Sequence, residues 1–186
     1  MSAPAAVLPE ERCVSLIGMA ASGKSKMGAE LARMLNWAHV DADHLMEAAY
    51  GSLLQSLVDA LSRDDFLDLE STAVRNIRLQ RCIISTGGSV VYRRESMEHL
   101  KNLGPVLYIE VSLPVILERI SRKPDRGLVI GPGQSLEDLF NERRLLYEKY
   151  ADLTVRGGNG PVHEYAGKAL ALILQYFSRG RGGDLC

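Results

Sequence analysis

At 186 residues, with 46% hydrophobic and 24% charged side chains, the chain has the size and composition of one globular domain with a substantial core. Its formal net charge of −1, with both signs interspersed, excludes a surface built for nucleic acid. No stretch approaches the roughly 18 apolar residues of a membrane span; residues 1–10 lack a signal-peptide pattern and the three cysteines lack metal or disulfide spacing, so a cytoplasmic chain is expected, acting as a monomer.

Residues 1–10, rich in Ala and Pro, read as a disordered lead-in to a single domain over 11–178. Cys13-Val14-Ser15-Leu16-Ile17 is a short apolar run with the look of a buried parallel strand. Gly18 to Ser25, GMAASGKS, satisfies G-x-x-x-x-G-K-[ST] at every specified position. Lys26 to Leu35 then carries Met27, Leu31, Met34 and Leu35 at helical spacing. Trp37 to Val40 predicts a second strand ending at Asp41-Ala42-Asp43, and His44 to Tyr50 a helix closed by Gly51.

An apolar stripe from Leu53 to Leu61 precedes a predicted helix over Phe66 to Gln80. Cys82 to Thr86 is a third buried-strand run, broken by Gly87-Gly88. A helix over Glu95 to Leu103 leads to a fourth strand, Val106 to Val111, and Pro114 suits the first turn of the next helix. Residues 122–133 are polar and rich in Gly and Pro, as expected of a functional or disordered loop. Leu136 to Tyr150 reads as a charged helix, Asp152 to Arg156 as a last strand, Val162 to Phe177 as a closing helix, and 179–186 as a flexible tail. This alternation predicts an α/β, three-layer architecture: a five-stranded parallel sheet with helices on both faces.

Strand, glycine-rich turn and helix start are the three parts of a phosphate cradle. Glycine lets the backbone curl around an anion with successive N–H groups pointing inward, and the helix N-terminus adds partial positive charge. Gly18, Ala20, Ala21, Ser22, Gly23, Lys24, Ser25 and Lys26 are therefore the expected nucleotide-binding residues. Lys24 would bridge the β- and γ-phosphates of ATP, and the Ser25 hydroxyl would take a place on Mg²⁺. In an open α/β sheet, ligands gather beyond the carboxyl ends of the strands. Asp41 and Asp43 fall there on alternate residues, so they can serve different ligands, one a hydrated Mg²⁺ and the other an incoming hydroxyl. Asp41 can equally N-cap the following helix. Gly87-Gly88 permits close backbone approach to a substrate, and Arg119, Arg122 and Arg126 could fold over a nucleotide as an arginine lid.

Taken together, these residues resemble the shikimate kinase family over nearly the whole chain. The cradle is followed in the family's order by D-x-D-x-x-x-E at Asp41, Asp43 and Glu47, then Gly51. Phe66 and Glu70 fall where that family has F-R-x-x-E, STGGS at 85–89 resembles S-T-G-G-G, and E-R-x-x-L-Y at 142–147 is followed by Ala151-Asp152. The resemblance implies a P-loop kinase fold with a lid over about residues 122–133, ATP as co-substrate and Mg²⁺ as cofactor. It assigns Lys24 to the phosphates, Ser25 and Asp41 to the metal and Asp43 to the acceptor hydroxyl. It further implies that Arg126 is the lid arginine, that Arg119 stacks on adenine, and that Gly87, Gly88 and Arg143 bind the acceptor, Arg143 through its carboxylate.

Four positions depart from the family pattern: Leu67 for the arginine of F-R, Ser89 for a glycine, Arg126-Gly127-Leu128-Val129 in the lid, and Leu145 for a proline. In the family the arginine at the position of Leu67 helps clamp the substrate carboxylate, and leucine forms no charged hydrogen bond. With Leu67 and Asp68 in the acceptor half, the expected acceptor is a small amino-acid alcohol, homoserine first, its ammonium group meeting Asp68. Two alternatives stay open: a genuine shikimate kinase that tolerates leucine, and a nucleotide-binding regulator without turnover.

Overall fold

The computed structural model describes residues 12–122, 128–131 and 133–180. Five short strands, β1 (Val14–Ile17), β2 (Ala38–Asp41), β3 (Cys82–Ser85), β4 (Val106–Glu110) and β5 (Leu153–Arg156), form one sheet in the order β2-β3-β1-β4-β5. Every pairing is parallel, with Ser15 opposite both Ile84 and Val106 at the centre. β1 and β3 are buried along their whole length, which explains their unbroken apolar character without alternation.

Helices α1 (Lys24–Leu35) and α8 (Val162–Gly180) pack together on one face of the sheet. The other face carries α4 (Arg63–Arg75), α5 (Arg94–Leu103) and α7 (Leu136–Tyr150), joined by a single 3-10 turn at Val90–Tyr92. Leu16, Ile17, Leu31, Ile83, Ile84, Leu100 and Leu107 are fully buried between these layers. A satellite cluster of Met46, Phe66 and Val129 ties α2 (Ala42–Tyr50), α3 (Leu54–Ala60) and α4 to the segment that follows residues 123–127. α6 (Leu113–Ser121) completes the set, with Pro114 in its first turn as expected.

The differences from the sequence reading lie at element ends. α4 begins at Arg63 rather than Phe66, because the Ser62 side chain accepts from the Asp65 N–H and caps the helix there. α7 starts on a capping box in which Ser135 and Asp138 satisfy each other's backbone donors. α8 continues to Gly180, and most of the expected lead-in and tail lies outside the described residues. Arg126 and most of the lid over 122–133 that precede Leu128 lie outside them as well. Among the described residues, no helix is long and apolar enough to cross a membrane.

Candidate active site

The carboxyl ends of β1, β2 and β3 open into one cavity of about 1040 Å³. Its phosphate end is the turn between β1 and α1. Gly23 sits at φ +100, a conformation L side chains rarely adopt, and its left-handed geometry swings the chain into α1. No side chain caps α1, so its first N–H groups are left facing the cavity, as an anion site needs. Lys24 is buried and folds back over the turn, its Nζ donating to the carbonyls of Gly18 and Met19 at 2.9 Å each. Burial drives its pKa down to about 8, against the pull of Asp43 and Asp41. The Ser22 hydroxyl, within the same turn, is buried without a hydrogen-bond partner among the described residues.

Arg119 reaches the same turn from α6, donating to the carbonyls of Ala21 at 3.0 Å, Ser22 at 3.2 Å and Gly158. Its guanidinium thereby joins the cradle to the loop after β5. That loop, Gly157-Gly158-Asn159-Gly160, lines the cavity and was not singled out from the sequence, although glycines directly after a strand were its visible signal.

Asp41 N-caps α2 and also reaches the first turn of α1. One carboxylate oxygen accepts from the Asp43 N–H at 3.1 Å and caps α2, and the other accepts from the Ser25 hydroxyl at 2.5 Å. A hydroxyl and a carboxylate held together at the mouth of an N–H cradle are hard oxygen donors that suit Mg²⁺, which commonly takes one or two protein ligands alongside phosphate oxygens and water. No group of three or more His, Cys, Asp and Glu side chains forms a metal cage among the described residues.

Asp43 points the other way, towards β3. A Cβ at Gly87 would overlap Glu70 Oε1 and lie 2.9 Å from Asp43 Oδ1, so only glycine lets the chain pass between these two carboxyl groups. Glu70 is 2% exposed, lines the cavity, and keeps Oε1 without a partner. Burial raises both: Asp43 to about 6, with the charge of Asp41 adding to the push, and Glu70 to about 7, with Asp43 adding to it. Glu70 was legible only as a family position; a charged residue on the inward stripe of α4 was the signal for a site role.

Arg143 closes the far end. It is 2% exposed, donates from Nε to the Tyr92 hydroxyl at 3.3 Å and from Nη2 to the Val129 carbonyl at 2.8 Å. No carboxylate lies within ion-pair distance of it among the described residues. Tyr147 supports this end by donating to the Gly88 carbonyl at 2.6 Å.

Two of the expected acceptor residues are not brought into the cavity. Asp68 faces outward from α4 with its side chain 70% exposed, and Arg93 holds it at 2.7 Å, so it cannot receive an ammonium group in the site. Leu67 is buried at 3% exposure but is not part of the cavity wall.

The shikimate kinase family model matches residues 20–174. A shikimate kinase from Bordetella avium is 35% identical over 179 residues, covering 95% of this chain and 85% of that protein. A shikimate kinase from Pasteurella multocida is 33% identical over 168 residues, covering 88% and 93%. Among solved structures, shikimate kinase from Acinetobacter baumannii in complex with shikimate superposes with a TM-score of 0.82 at 27% identity, over 89% of this chain and 94% of that one. The cradle, the paired carboxyl groups and the buried arginine thus sit within a fold and sequence shared along almost the full length, and the chain belongs to the shikimate kinase family of small-molecule kinases.

Proposed function

We propose that this kinase transfers the γ-phosphoryl group of ATP to a hydroxyl of shikimate, giving ADP and phosphorylated shikimate. The observation that carries the reading is the fully buried Arg143, without an acid partner among the described residues, facing the same cavity as Asp43. A carboxylate at Arg143 and a hydroxyl at Asp43 describe one hydroxy acid. Relatives named shikimate kinase, and one solved with shikimate, supply the candidate. The expectation of homoserine is withdrawn: it depended on Asp68, which is spent on Arg93.

In this reading Lys24 lies along the transferring phosphoryl group, and Arg119 steadies the nucleotide end of the cradle. Bound Mg²⁺, held through Ser25 and Asp41, would neutralise charge building on the phosphate oxygens. Asp43 orients the acceptor hydroxyl and accepts its proton as the oxygen attacks. Arg126 is assigned to the lid, outside the described residues.

A pH dependence follows. Asp43 must be ionised to accept a proton, so kcat/KM falls as pH drops through about 6. Glu70 interacts with it and stands near 7, so the acidic limb belongs to the pair. Lys24 must be protonated, so kcat/KM falls again as pH rises through about 8 in the free enzyme. A steady-state profile with no acidic limb would contradict the role of Asp43.

Specificity constants for shikimate and L-homoserine, measured side by side, test the acceptor. Shikimate should be preferred by at least roughly 10²-fold, the scale on which a polar site rejects a misfitting ligand. Efficient homoserine phosphorylation with shikimate inert would overturn the reading.

A further inference from the structure

Arg63 is the first residue of α4, on the same face as Leu67 and Glu70, four and seven residues later. Its guanidinium carbon stands 4.9 Å from the centre of the Tyr92 ring, and that of Arg143 stands 5.2 Å from the same centre. Two guanidinium groups thus share one aromatic ring, an arrangement that like-charge repulsion opposes unless an anion joins them. The acid that approaches is Glu142, whose contact with Arg63 Nη2 is loose at 3.7 Å and whose side chain is 42% exposed. Arg63 Nε is buried and has no hydrogen-bond partner among the described residues, the mark of a donor prepared for a ligand. Between Arg63 and Glu70 the stripe offers only Leu67, so no other cation on this face of α4 competes for the role.

We propose that Arg63 is an acceptor-binding residue, which together with Arg143 receives the carboxylate of the acceptor at the Tyr92 ring. As the structure stands, Arg63 lies over the Tyr92 ring rather than in the cavity wall, and in this proposal its side chain turns past the ring to meet the ligand. The long, loosely paired side chain allows that turn. Specificity for an acid then comes from two guanidinium groups on different helices, α4 and α7, rather than from Arg143 alone. The inference rests on the shikimate reading above.

The test compares wild type, Arg63→Ala, Arg63→Lys and Glu142→Gln with shikimate and with its uncharged methyl ester as acceptors. Loss of one charge-assisted contact should raise the KM for shikimate roughly tenfold or more in Arg63→Ala, with KM for MgATP unchanged. The preference for acid over ester should shrink by a similar factor, with Arg63→Lys between, and Glu142→Gln should not mimic the loss. An unchanged KM for shikimate, an equal loss for acid and ester, or the same defect in Glu142→Gln would overturn the proposal. If Arg63→Ala does not fold, the acid-to-ester ratio of Arg63→Lys decides on the same terms. A wild type inert towards shikimate overturns the acceptor reading and this inference with it. An active wild type matched by Arg63→Ala overturns this inference alone.

Discussion

Replacing Lys24 with alanine is expected to lower kcat by roughly 10³-fold, the scale of losing one preorganised cation from a phosphoryl-transfer site. The expectation comes from where the amine is held. It is buried, its two hydrogen bonds at 2.9 Å go to carbonyls of the cradle itself, and no competing carboxylate bonds it. An ammonium group kept there is placed before the nucleotide arrives, so little reorganisation accompanies the reaction. Burial lowers its pKa to about 8, which keeps most of it charged at neutral pH. Nucleotide phosphates would strengthen the charged form further. Single-turnover rates, with nucleotide affinity measured separately by calorimetry, give the result; a variant with wild-type turnover would contradict the assignment. A thermal melt of the same variant checks that the loss lies in chemistry, since the fold should persist without the amine.

The second large effect is expected at Asp43. Asp43→Asn should reduce kcat by roughly 10²-fold or more, the range for removing a positioned general base. The affinity for MgATP should stay nearly unchanged, because Asp43 stands beside Gly87 and Glu70 and touches the cradle only through its charge interaction with Lys24. Asp41→Asn should behave differently. Asp41 bonds Ser25, so its loss should weaken the magnesium-dependent part of nucleotide binding, while the cap on α2 persists because asparagine caps as well as aspartate. Equal loss of nucleotide affinity in both variants would remove the division of labour between the two carboxylates.

Much of this arrangement was readable before the structure. The five strands announce themselves because a sheet covered on both faces needs continuous apolar runs, and the cradle because its chemistry is local to eight residues. The helical phase of α4 was the weak point. In the helix Phe66, Glu70 and Val74 share the buried face, and Asp68, two residues after Phe66, turns outward. Arg93, from the turn after β3, then claims it. That long-range pairing has no trace in local spacing. The same holds for Glu70 against Gly87 and for Arg63 over Tyr92, contacts made only when the loop after β3 folds against α4.

Direct detection of product tests the central claim most plainly. The purified chain is incubated with MgATP and shikimate, and phosphorus NMR follows the phosphate esters formed. The account predicts a new phosphomonoester of shikimate appearing in step with ADP, absent with L-homoserine and lost in Asp43→Asn. ADP formed without a shikimate phosphomonoester, or a homoserine ester in its place, would contradict it.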